Sequence, residues 1–190
     1  MSTLTRTRRF LASLGAVAAV AGAVVAGAPA AQAAQAGSCD LSPSLRSFDK
    51  VYNGSAGVLD LPGNNEVNGQ RVQTYSANNQ STAQSWLIWG YCDGTTAISH
   101  GSSGKVVDLD SWGSGAVQIW DTPGGWDGLN RPAGDWMKAN QKWWLTDLDR
   151  GWVLARSAAT GQCLSASGLG QALKVVNCNT ADPAQRWYLG

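Results

Sequence analysis

The reading of the fold turns on Val106 to Trp143, which carries Val106-Val107-Asp108, then Val117-Gln118-Ile119-Trp120, then Asn140-Gln141-Lys142-Trp143. The same grammar recurs upstream as Val58-Leu59-Asp60, Val72-Gln73-Thr74-Tyr75 and Gln84-Ser85-Trp86. Downstream it reads Cys163-Leu164-Ser165, Leu173-Lys174-Val175-Val176 and Gln185-Arg186-Trp187. The spacing holds as well: 20 residues from Trp86 to Val106 and 20 from Trp143 to Cys163. From the central position to the glutamine it is 9 residues in the first copy (Tyr75 to Gln84) and 9 in the third (Val176 to Gln185), against 21 in the second (Trp120 to Gln141). An insertion of 12 residues therefore lies within Asp121 to Ala139.

A fixed internal period outranks local propensity as a guide to architecture. Each copy reads as about four short strands separated by turn signals such as Asn53-Gly54-Ser55, Ser103-Gly104 and Thr160-Gly161. No segment after the N-terminal region carries a helical period. Three copies are too few for a propeller of about 4–8 blades, so the expectation is an all-β chain closed with threefold pseudo-symmetry.

Residues 1–36 read as a separate leader. Arg6, Arg8 and Arg9 stand without an acid, an Ala/Val/Leu/Gly run follows from Phe10 to Gly27, and small residues surround Ala31-Gln32-Ala33 and Ala34-Gln35-Ala36. That is the pattern of a cleaved secretory signal peptide. A membrane anchor is the competing reading, but an alanine-dominated core supplies little transfer energy. Removing the leader leaves residues 37–190 as one domain, large enough to bury a proper core. Without the three leader arginines there are 11 Lys and Arg against 13 Asp and Glu, which gives no electrostatic footprint for nucleic acid or for an anionic membrane surface. All 10 tryptophans lie after the leader, and Glu66 is the sole glutamate.

Comparison of the copies also pairs the cysteines. Cys163 stands opposite Val58 and Val106, and Cys178 stands opposite Ala77 and Thr122, so both thiols are present in one copy and both absent from the others. A bridge within the third copy, Cys163 with Cys178, accounts for this, and elimination leaves Cys39 with Cys92. A zinc site is the alternative, but the chain has no Cys-x-x-Cys pair.

Three Gln-x-Trp motifs in phase, each with a matching strand pair upstream, resemble the ricin B-chain-type lectin domain, a β-trefoil, over residues 48 to 190. The resemblance implies three repeats at about 48–92, 93–148 and 149–190, and a secreted, monomeric sugar-binding module that needs no cofactor. It assigns Asp108 to accept from sugar hydroxyls, Trp120 to stack, Asn140 to bond the ligand, Gln118 to add a polar contact and Gln141 to support the carboxylate. The residues agree by their own chemistry, since a sugar offers an apolar C–H face and a hydroxyl rim. Asp60, Gln73, Tyr75 and Gln84 form the matching set in the first repeat, where Ala83 replaces the asparagine. In the third repeat Ser165, Lys174, Val176 and Ala184 have lost the chemistry. Trp86, Trp143 and Trp187 are expected in the core, and Trp126 and Trp136 of the insertion are expected either to pin that loop or to extend the stacking surface.

Enzymatic readings fare worse. Asp108 and Asp110 form the one carboxylate pair suited to a glycosidase, with no acid-raising environment legible around either. Asp110 is instead expected to cap the turn through Ser111-Trp112-Gly113. His100 aligns with Asn53 and Ser157 at a turn, no Gly-x-Ser-x-Gly elbow or phosphate loop is present, and a calcium loop starting at Asp108 would end on Ile119. A trefoil protease inhibitor and a partner-binding scaffold without sugar sites remain open as alternatives.

Overall fold

The computed structural model describes residues 44–48, 50–122 and 137–190, all within the unit Ser38–Gly190. The expected leader, Cys39, Trp126 and Trp136 lie outside the described residues. Thirteen strands join in one antiparallel sheet system, with short 3-10 turns and no α-helix among the described residues. The first repeat holds β2 (Val51–Asn53), β3 (Val58–Asp60), β4 (Gln73–Tyr75) and β5 (Trp86–Gly90), preceded by β1 (Ser44–Phe48). The second holds β6 (Thr96–His100), β7 (Val106–Leu109), β8 (Val117–Trp120) and β9 (Trp143–Asp147). The third holds β10 (Trp152–Ser157), β11 (Cys163–Ser165), β12 (Lys174–Val176) and β13 (Trp187–Leu189).

Strands β5, β6, β9, β10, β13 and β2 hydrogen-bond in that order, and β1 pairs with β5. Because β1 leads directly into β2, the two together close the ring. Trp86 faces His100, Trp143 faces Ser157 and Trp187 faces Asn53 across the three equivalent strand pairs. Hairpins β3–β4, β7–β8 and β11–β12 cap the barrel. They interlock: Val72 N–H donates to the Val117 carbonyl (3.1 Å), and Leu173 N–H donates to that of Val72 (2.9 Å). The architecture is a β-trefoil.

The core repeats with the same symmetry. Trp86, Trp143 and Trp187 are 0, 0 and 1% exposed, and each indole N–H donates to a carbonyl on the second strand of its own repeat: Leu59 (3.0 Å), Val107 (3.1 Å) and Leu164 (3.1 Å). A buried indole is tolerated only when that donor is paired, so three tryptophans at one pitch fix three strands at one pitch. Truncating any of them to alanine removes a large apolar volume and costs about 3–5 kcal/mol. The Cys163–Cys178 disulfide forms within the third repeat as expected. Cys92 is also disulfide-bonded.

His100 occupies the turn position that Asn53 and Ser157 hold in the other repeats. It is 0% exposed, with Nε2 3.1 Å from the Thr82 carbonyl and Nδ1 3.2 Å from Ser103 Oγ. Donation to the carbonyl puts the proton on Nε2 and makes Nδ1 the acceptor. Burial holds the imidazole below its ordinary value of 6.5, partly opposed by Glu66. On acidification the unfolded chain therefore binds the proton first, so this contribution to stability is full above 6.5 and falls as pH drops below it. His100→Asn, which copies Asn53, should flatten the decline in urea midpoint between roughly pH 7 and 5. An unchanged slope would place the acid sensitivity on another group.

Candidate functional site

Strand alternation builds the site. In β7 and β8, Val107, Leu109, Val117 and Ile119 point into the core, so Asp108, Gln118 and Trp120 share the opposite face. Register brings Asp108 directly across from Gln118 and Val106 across from Trp120. The 3-10 turn Ala139–Gln141, immediately before core Trp143, supplies Asn140 and Gln141. All five residues line a cavity of about 540 Å³, along with Asp110, Trp112 and Lys138.

Two neutral amides hold the Asp108 carboxylate. Gln118 Nε2 donates to Oδ1 (3.1 Å) and Asn140 Nδ2 to Oδ2 (2.9 Å). Asn140 Nδ2 also donates to the Leu109 carbonyl (3.1 Å), so its protons are committed and Oδ1 is left as an acceptor. Burial pushes the Asp108 carboxyl up, partly offset by Gln118 and Gln141. Trp120 is 43% exposed. Gly69 of the first repeat backs its ring: at φ +85° it donates to the Ile119 carbonyl (3.0 Å), and a Cβ there would lie 3.6 Å from the indole.

Gln118 orients Asp108 and is 9% exposed, so it supports the carboxylate from beneath. Gln141 Nε2 donates to the Asp121 carbonyl (3.0 Å), and the Gln141 side chain also helps to hold the Asp108 carboxyl down. Its Oε1 is buried and has no partner among the described residues. The matching oxygens of Gln84 and Gln185 accept from the N–H of Asn78 (2.8 Å) and Asn179 (2.9 Å). Three residues beyond Trp120, at the position equivalent to those asparagines, the sequence has Pro123, which carries no N–H.

In the first repeat, Asp60, Gln73, Tyr75 and Gln84 gather around a second cavity of about 590 Å³. Gln73 Nε2 donates to Asp60 Oδ1 (2.7 Å), and with Ala83 in place of asparagine Gln84 takes Oδ2 (3.1 Å). Tyr75 is 50% exposed. In the third repeat Ser165 turns inward to the Ala166 carbonyl, and Gln185 Nε2 bonds Asp182 Oδ2 (3.0 Å). Asp182 thus stands in for the lost strand carboxylate and keeps the scaffold satisfied.

The environments of Asp108 and Asp110 differ more than the sequence indicates. Asp110 Oδ2 accepts from the backbone N–H (2.7 Å) and hydroxyl (2.9 Å) of Ser114, and these bonds hold its carboxyl below the usual range while Asp108 is pushed above it. Gly113 makes this cap possible, because a Cβ there would meet Asp110 Oδ2 at 2.6 Å. Among the described residues no group of three or more His, Cys, Asp or Glu could hold a metal, and no helix is long and apolar enough to cross a membrane.

No protein-family model and no curated protein matches the chain. Solved structures do match. The designed threefold-symmetric protein ThreeFoil is 20% identical with a TM-score of 0.60, over 75% of this chain and 96% of that one. An exo-beta-1,3-galactanase from Clostridium thermocellum is 22% identical at 0.60, over 75% of this chain and 29% of the galactanase. The hemolytic lectin CEL-III is 22% identical at 0.56, over 75% and 30% respectively. The chain thus spans under a third of these two longer proteins, and the likeness is one of fold, the β-trefoil.

Replacing Gln118 by leucine would remove one of the two donors that favour ionised Asp108. The carboxyl should then titrate at still higher pH, measurable by NMR of the Asp108 side-chain carbon, and an unmoved midpoint would mean that Gln118 does not hold the carboxylate.

Proposed function

We propose that this chain is a secreted, non-enzymatic carbohydrate-binding domain whose main site lies in the second repeat, with a weaker one in the first. The observation that carries the reading is Asp108, held through both carboxyl oxygens by amide donors and set beside a half-exposed Trp120. Asp108 and the Asn140 Oδ1 give the cavity its acceptors. Such a wall repels phosphates and carboxylates and suits a ligand that donates, as sugar hydroxyls do. Support also comes from the fold shared with CEL-III and with an agglutinin from Abrus precatorius, both lectins by name. The leader-like residues 1–36 and the Cys163–Cys178 bridge fit an exported protein.

One observation favours a hydrolase: the opposed shifts of Asp108 and Asp110, the kind of divergence that separates an acid from a base. The hydrogen bonding weighs against it. Both Asp108 oxygens accept from amides, which stabilises the ionised form needed to accept and not the protonated form needed to donate, while Asp110 is committed to its turn.

Single shallow sites bind near millimolar, about −4 kcal/mol, so immobilised polysaccharides, on which two sites add avidity, are the suitable probe. A glycan array followed by retention on the best polysaccharide should show Trp120→Ala losing most binding, Tyr75→Ala losing a smaller part and Ser165→Ala losing none. Equal losses from Asp108→Ala and Ser165→Ala would refute the ranking. Release of reducing ends by the wild-type chain would move the assignment to an enzyme.

A further inference from the structure

Trp112 is 96% exposed, yet it stands on one of the most tightly fixed turns in the molecule. Within the β7–β8 hairpin, Asp110 N–H donates to the Ala116 carbonyl (2.9 Å) and Gly115 N–H returns to the Asp110 carbonyl (2.9 Å). The Asp110 carboxylate meanwhile takes both the N–H and the hydroxyl of Ser114. A large apolar ring held in water on a rigid support is poorly explained by packing, because the ring packs into nothing.

Its position explains it better. Trp112 borders the Asp108 cavity and also a second one of about 580 Å³, which it shares with Lys138, Asn140, Ala139, Ala159 and Thr160. Trp112, Lys138 and Asn140 line both cavities. The two are therefore neighbouring compartments of one groove, with the indole standing at their junction. Their surroundings differ: Asp108 and Asp110 border the first, whereas the second is walled by Trp112, two alanine methyls and a threonine, with Lys138 its one charged group among the described residues. An aromatic face with small apolar neighbours and a few donors is what the C–H face of a further sugar unit requires.

We infer that Trp112 joins these compartments into an extended saccharide groove, so that the ligand is a chain of at least two sugar units and Trp112 sets the preference for chain length. This rests on the second-repeat reading above, with Asp108 and Trp120 gripping one unit and Trp112 the next. Because the turn is already ordered in the free protein, the second contact costs little further ordering.

Calorimetric titration of wild type, Trp112→Ala, Trp112→Phe and Trp120→Ala with galactose and xylose, and with their linear di-, tri- and tetrasaccharides, tests this. Wild type should bind the trisaccharide of its preferred series about tenfold tighter than the monosaccharide. Trp112→Ala should weaken the trisaccharide far more than the monosaccharide and so abolish that gain, and Trp112→Phe should restore most of it. Affinity that does not rise with chain length, a rise that survives Trp112→Ala, or equal loss for all lengths would overturn the groove. Trp120→Ala should weaken every length alike. If it leaves monosaccharide binding intact, or if wild type binds neither series, the second-repeat site itself fails and the groove with it.

Discussion

The fold depends on one bond made three times, the donation of a buried indole N–H to a carbonyl on the second strand of the same repeat. Trp86, Trp143 and Trp187 each tie a barrel strand to a cap hairpin through it, to Leu59, Val107 and Leu164. An indole this deeply buried has no alternative partner in water, so rotating or sliding either strand would orphan the donor. The bond thereby fixes the height of each hairpin over the barrel. The 3-10 turn before each tryptophan then delivers its glutamine to the same depth beside the hairpin. Site geometry is inherited from core geometry, which is why the scaffold persists where the chemistry has gone.

The three glutamines show how the repeats diverge without loss of packing. Each is 1–2% exposed and brings a buried amide that has to be satisfied. Gln84 divides its donors between Asp60 and the Ser76 carbonyl, and Gln185 turns to Asp182 after Ser165 has replaced the strand carboxylate. Gln141 keeps the equivalent carbonyl, that of Asp121, while Asn140 takes Asp108 Oδ2. In the repeat with the fullest set of polar side chains, Gln141 Oε1 has no partner among the described residues.

Much of the architecture was legible because it is periodic. The recurrence of Gln-x-Trp, the equal 20-residue spacings and the paired absence of two thiols from two repeats are properties of the chain as written. Strand alternation then set Asp108, Gln118 and Trp120 on one face. What the sequence concealed depends on hydrogen-bond geometry. Which amide reaches which carboxylate oxygen cannot be read from residue types, and it is Gln118 that takes Oδ1 of Asp108 and Asn140 that takes Oδ2. The upward push on Asp108 arises from burial by parts of the chain distant in sequence. Trp112 was hidden for another reason: inside Ser111-Trp112-Gly113-Ser114 it reads as turn filler. A tryptophan flanked by serine and glycine, with no apolar neighbour to pack on, is itself the signal that could have revealed it.

The seam between β13 and β2 has a consequence for how the molecule assembles. Trp187, Tyr188 and Leu189 pair with Asn53, Tyr52 and Val51, joining the last strand of the third repeat to the opening strand of the first. Hairpins such as β7–β8 close short loops and can form early, whereas this seam must close a loop spanning nearly the whole domain. Contacts of such long range slow folding, toward the millisecond-to-second regime of other barrels rich in non-local pairings. A chain emerging from synthesis therefore holds β2 without its second partner until β13 arrives. During that interval the exposed strand edges are open to pairing with other chains.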